Sequence, residues 1–134
     1  MAQETQSKGT LWGGRIASLL PAAILVLSGL LKIIGAVTSG QEMLANWAKF
    51  GYPVGALLPI GVVEITCAVL YLVPRTSVLG AVLVTGYLGG AVATHVRMGE
   101  AAFLAPLLFG VLAWGGLWLR EPRLRALLPL KREP

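Results

Sequence analysis

Three ionisable residues stand inside stretches otherwise built from Leu, Val, Ile, Ala and Gly: Lys32, Glu64 and His95. Together they supply an ammonium, a carboxylate and an imidazole. With Glu64 as base, His95 as acid and Lys32 as a charge partner, this set could carry proton transfer on an apolar molecule. Ser28 lies four residues before Lys32 and Tyr87 two turns before His95, so each shares a helix face with its partner. Trp47, in the first connecting segment, adds an aromatic side chain. The candidate catalytic residues are therefore Glu64, His95 and Lys32, and the candidate substrate-binding residues are Ser28, Tyr87 and Trp47. Each also has a plainer reading. Lys32 and His95 stand near segment ends and could snorkel to water. Glu64 could be a structural pin between helices, and Arg97 an interfacial cation.

Other chemistries fall away on composition. No grouping of Cys, His and acidic residues suits a metal, and one His offers at most one haem ligand. A Ser-His-Asp triad needs an Asp, and the chain has none. A triad with Glu would need Ser28, which does not sit on an elbow turn. The glycine runs lie within or beside apolar segments, so none makes a phosphate loop. Cys67 is the only cysteine, which excludes a disulfide within the chain and suits a small packing residue.

The elements that must position these residues follow from the balance of apolar and charged side chains. Of 134 residues, 56% are hydrophobic and 13% charged. A soluble domain is about 25% charged, so this chain is read as an integral membrane protein. Four apolar blocks, Ile16–Val37, Val54–Val73, Ser77–Val96 and Ala102–Leu119, are each about the 20 residues that cross a bilayer. The first is too long, and too charged at its end, for a cleaved signal segment. Pro74-Arg75-Thr76 and Arg97-Met98-Gly99-Glu100 are short links that make neighbouring spans antiparallel. The expected fold is thus an all-α, integral membrane, four-helix antiparallel bundle occupying residues 16–119. Residues 1–15 would form a loose N-terminal tail and 120–134 a basic tail against anionic headgroups. Between the first two spans, Met43, Leu44, Trp47 and Phe50 recur at helical spacing. That predicts a short interfacial helix, with Trp47 and Tyr52 at headgroup level. Gly86, Gly90 and Thr94, with Gly80 and Gly89 nearby, predict a face that admits a close helix neighbour.

Charge sets the orientation. Lys8, Arg15, Arg75, Arg120, Arg123, Arg125, Lys131 and Arg132 fall on the side of the termini, and only Lys49 and Arg97 on the other. The positive-inside rule puts both termini in the cytoplasm. The basic balance is therefore a topology signal, and no nucleic-acid partner is expected. At about 1.5 Å per residue, Lys32 is about 24 Å and His95 about 27 Å from the cytoplasmic end, and Glu64 about 15 Å from the outer end. All three can meet in the outer half of the membrane. A carboxylate facing lipid would cost roughly 2–4 kcal/mol or more, so Glu64 is expected to turn inward, within reach of Lys32 or His95.

Several stretches together resemble the DoxX-like family of small four-span bacterial membrane proteins. They are Leu27-Ser28-Gly29-Leu30-Leu31-Lys32, Gly51-Tyr52-Pro53, Gly61-Val62-Val63-Glu64-Ile65, Val73-Pro74-Arg75-Thr76 and Thr85-Gly86-Tyr87-Leu88-Gly89-Gly90-Ala91-Val92-Ala93-Thr94-His95-Val96-Arg97. The resemblance covers about residues 16–130. It implies a four-helix membrane bundle and singles out Lys32, Glu64 and His95 as its polar pattern. The family takes its name from a subunit associated with terminal or thiosulfate:quinone oxidoreductases, which implies a redox or quinone-linked role by analogy of fold.

Three functions stay open. One is a membrane subunit or interaction module for a redox or quinone-linked process, with a membrane or redox protein as partner. The second is a small enzyme using Glu64 and His95. The third is a proton-coupled carrier or channel, which four spans would support only as an oligomer. No flavin, haem or iron–sulfur motif is evident; a quinone, which the resemblance implies, or a lipid is the expected kind of bound molecule. A four-helix bundle is thin, so a homo-oligomer, most simply a dimer, is expected in the lipid bilayer.

Overall fold

The computed structural model describes residues 6–38 and 40–130. Four helices are long and apolar enough to cross a membrane. Helix α1 spans Lys8–Thr38, α2 Gln41–Lys49, α3 Leu57–Leu72, α4 Ser77–Arg97, α5 Leu104–Arg120 and α6 Pro122–Arg125. The 3-10 turns Val54–Ala56 and Ala101–Phe103 lead into α3 and α5. Pro59 and Pro106 each fall in a first helical turn, where the missing N–H has no partner to lose.

The spanning helices form a ring in which α1 and α4 each pack against both α3 and α5. Neighbours run antiparallel: Ser18 and Lys32 of α1 meet Tyr71 and Glu64 of α3, in reverse order. The buried core is small and apolar, with Ala22, Leu25, Ala68, Ala81, Val84, Ala113 and Leu117 at its centre. Leu27, Val62, Leu79 and Val111 point outward. An outward apolar face is what lipid requires, because the helices satisfy their own backbone groups.

Close approach is set at a few glycines. A Cβ on Gly29 would stand 2.9 Å from the Gly61 carbonyl oxygen, and one on Gly61 2.8 Å from that of Gly29. These two residues let α1 and α3 touch backbone to backbone, one turn from Lys32 and Glu64. A Cβ on Gly80 would run into the backbone of Tyr71, which fixes the α3–α4 crossing.

The structure differs from the sequence expectations in four places. First, α1 begins at Lys8, so residues 8–15 are helical; residues 1–5 of the expected tail lie outside the described residues. Gly14 explains the extension, because it packs on Gly116 of α5 and tertiary contact overrides its poor helix propensity. Second, of the glycines expected to admit a close neighbour, only Gly80 does so. Gly86, Gly89 and Gly90 have open space on the side where a Cβ would project, with nothing within 4 Å. Third, Trp47 and Tyr52 turn toward the bundle and roof a cavity. Fourth, the described part of the basic tail folds back on α5. Arg125 donates to the carbonyls of Trp118 at 3.0 Å and Leu119 at 2.7 Å, capping the helix end where its dipole favours a cation. Lys131 and Arg132 lie outside the described residues.

Candidate functional site

Glu64 is 2% exposed, on the face of α3 that looks into the ring. Its Oε2 accepts from Lys32 Nζ at 2.8 Å, and the Lys32 side chain is 14% exposed. Lys32 also donates to Ser28 Oγ at 2.5 Å, one turn back on α1. The snorkelling reading of Lys32 therefore gives way to an inward ion pair. An ammonium has three donors, so Lys32 keeps one to offer. Besides Lys32, the Tyr87 hydroxyl reaches Glu64, and a carboxylate offers about four acceptor sites, so Glu64 keeps acceptor capacity as well.

That unused capacity faces a cavity of about 400 Å³, walled by residues from all four spans and from the first loop. Ser28, Lys32, Glu64, Tyr87, His95 and Trp47, the six residues singled out from sequence, all line it. Tyr87 stands beside Glu64. Apolar walls come from Ile24, Leu25, Ile60 and Phe109. Gly86 and Gly90 also line the cavity, and the open space beside them shows what the α4 glycines do: they leave room.

The roof is aromatic. Trp47 of α2 stacks on Tyr52 with ring centroids 5.4 Å apart and meets Phe50 edge-on at 6.1 Å. Lys32 Nζ lies 5.9 Å from the Trp47 ring centre, within reach of a cation–π attraction. The Trp47 indole N–H is buried without a partner among the described residues. Tyr52 is held by a 2.9 Å hydrogen bond to Thr94 Oγ1. Gly51 takes φ +79°, which a side chain rarely tolerates, and this turn sets Phe50 and Tyr52 on the roof. Arg97 donates to the Phe50 carbonyl and ties the roof to the end of α4.

His95 sits at the rim. Its Nδ1 is 2.8 Å from Glu100 Oε2, and its ring meets Phe50 edge-on at 5.4 Å. His95 and Glu64 share the cavity but hold separate partners, Glu100 for one and Lys32 for the other. The family model described as the DoxX-like family matches residues 16–116, from inside α1 to near the end of α5. The chain belongs to the DoxX-like family. No curated protein and no solved structure matches it.

Sequence reasoning misses three parts of this DoxX-like site. Glu100 reads only as part of a link, although an acid five residues after a lone His, across a glycine turn, is placed to meet it. Tyr52 and Phe50 read as surface aromatics, and Phe109 as one more apolar residue of a span. Only the turn glycine Gly51 signals that this loop bends back over the bundle.

Proposed function

We propose that this DoxX-like protein is a membrane binding module that holds a flat, oxygen-bearing ring of the quinone type, in service of a redox-linked process. The observation that carries this reading is a buried ion pair with an unused donor and an unused acceptor, both facing an aromatic-walled cavity. Ligand sites are mostly apolar pockets with a few convergent polar groups, and this cavity matches that description. Lys32 would donate to a ring carbonyl. Glu64 would accept from a ring hydroxyl, so the oxidised and reduced forms each find a partner. Trp47 would cover a ring face. The chain's own residues bind and orient; electrons would pass to or from a partner protein. The proposed setting is a bacterial cytoplasmic membrane with the termini inside and the cavity toward the outer face, which the Lys and Arg distribution supports.

The test is a titration in nanodiscs with a benzoquinone, following quenching of tryptophan fluorescence, with Trp47→Phe identifying the reporter. Binding should weaken at least about tenfold in the Lys32→Met, Glu64→Met double variant, as expected for loss of a charge-assisted hydrogen bond. A wild-type protein that shows no saturable quenching overturns the reading. Reporter fusions at Arg75 and near Trp47 test the orientation: the first should read cytoplasmic and the second periplasmic.

Acid–base catalysis through Glu64 and His95 is the second reading, favoured by their lining one cavity. It predicts a chemically altered product from the bound molecule, which mass spectrometry of the nanodisc extract would detect.

A further inference from the structure

A second cavity, of about 720 Å³, lies along the seam between α4 and α5. It shares two wall residues, Leu88 and Pro106, with the polar cavity, so the two spaces adjoin. From Pro106 to Trp118 the seam is about 18 Å long at the rise of a helix. The seam stays unfilled for a plain reason: Gly89 and Gly115 have nothing within 4 Å of where a Cβ would stand, and Gly110 has only a distant Leu88 methyl.

The chemistry of the two spaces differs. In the seam, Thr85 Oγ1 donates to the Ala81 carbonyl at 2.7 Å and accepts from Trp114 Nε1 at 2.6 Å. Trp118 Nε1 donates to the Leu128 carbonyl at 3.2 Å. The side-chain polar groups of the seam are thus already partnered, and a polar ligand would gain nothing there. An apolar chain would leave none of them unpaired. In the adjoining cavity, Lys32, Glu64 and Trp47 keep unused hydrogen-bonding capacity. A polar head space that shares the Leu88 and Pro106 wall with a long apolar groove fits one kind of molecule, an amphiphile with a ring at one end and a chain at the other.

We infer that the α4–α5 seam holds the polyprenyl or alkyl chain of the molecule whose ring occupies the polar cavity, so that the ligand class is a long-chain, membrane-resident one. This inference rests on the ring-binding reading proposed above. Because lipid is as apolar as the groove, the chain would gain from fitted packing and not from leaving water. The expected preference is accordingly modest.

The experiment compares two probes in nanodiscs, a benzoquinone carrying a decyl chain and the same ring without it. Both affinities are corrected for partition into protein-free nanodiscs. The wild-type protein should prefer the chain-bearing ring about tenfold. Gly89→Leu with Gly115→Leu fills the groove at positions with open space, and leucine favours the helix over glycine. This variant should bind the chainless ring as the wild type does, which also reports an intact fold, and should lose the preference to within about twofold. Equal wild-type binding of the two probes overturns the chain site and leaves the ring site standing. Failure of both probes to bind overturns the ring site and the chain site with it. A leucine variant that keeps the preference, or that changes the oligomeric state in native mass spectrometry while keeping it, overturns the inference and identifies the seam as a face for lipid or a second copy.

Discussion

Two polar clusters occupy opposite ends of the same bundle, and they are built differently. At the end near the termini, the Tyr71 hydroxyl donates to the Ala113 carbonyl oxygen at 2.7 Å and lies 2.8 Å from Ser18 Oγ. The Arg120 guanidinium donates to the Tyr71 carbonyl at 3.0 Å and covers its ring at 5.0 Å. Gly14 and Gly116 pack α1 against α5 around this group, and Gly80 packs α4 against Tyr71. None of these residues lines either cavity. At the other end, Lys32 and Glu64 are paired but not exhausted, and the glycines beside them open space. Polar groups that bond one another and the neighbouring backbone, with only the Arg120 Nε left without a partner among the described residues, hold helices together. Polar groups that keep a spare donor and acceptor toward a void are placed to hold something else. The same residue type, glycine, serves both ends with opposite results: Gly80 brings a helix in and Gly86 keeps one out.

The largest expected effect tests whether the ion pair is also structural. Lys32→Met leaves a buried carboxylate without its partner and should destabilise the protein by about 3–5 kcal/mol. Replacing both members, Lys32→Met with Glu64→Met, should recover most of that loss, because a buried pair exchanged for packed apolar groups is often neutral. Denaturation in mild detergent measures both. If the double variant regains stability while losing ring binding, the pair is dispensable for the fold and needed for the site. A double variant as unstable as the single one would make the pair a pin like the Tyr71 cluster and erase the contrast.

Tyr71→Phe should come next. It removes one hydroxyl from a buried hydrogen-bonded network, leaves Ser18 and the Ala113 carbonyl short of a partner, and should cost about 1–3 kcal/mol. Ring affinity in the same preparation should stay within about twofold of wild type. A fall in affinity as large as that of the ion-pair variants would mean that the two ends are not independent.

The two ends are unequally legible in the sequence. The four spans can be read because length and the scarcity of charge in lipid leave few alternatives. The inward pairing of Lys32 with Glu64 can be read because the cost of a lipid-facing carboxylate and the depth of both residues point the same way. The glycine roles cannot. Spacing of four puts Gly86 and Gly90 on one face, but only the path of the neighbouring helices decides whether that face meets a backbone or a void. Tyr71 draws no attention, since a tyrosine late in a span reads as interfacial when its hydroxyl partners, on α1 and α5, are 53 and 42 residues away. The roof over the cavity is also hidden. Periodicity finds α2 and its aromatic face, but the fold of the loop after it decides whether that face meets headgroups or the bundle.

The smallest expected effect concerns His95 at the cavity rim, and it sharpens what kind of contact the open end makes. A carboxylate can only accept, so the 2.8 Å contact makes His95 Nδ1 the donor to Glu100. In the neutral ring that fixes Nε2 as the acceptor, and an acceptor at the rim would meet a ring hydroxyl and not a carbonyl. Glu100→Gln keeps an oxygen able to accept from Nδ1 and removes only the charge. Glu100→Ala removes both and frees the tautomer. Stability should move by less than about 1 kcal/mol in either variant, because the pair is partly exposed. The informative readout is affinity for the reduced, hydroxyl-bearing ring. Glu100→Ala should weaken it by about fivefold, the worth of one ordinary hydrogen bond, while Glu100→Gln should leave it nearly unchanged. Equal losses in the two variants would show that charge at the rim, and not the orientation of the imidazole, is what the ring encounters. No loss in either would place His95 outside the contact altogether and confine recognition to Lys32, Glu64 and the aromatic roof.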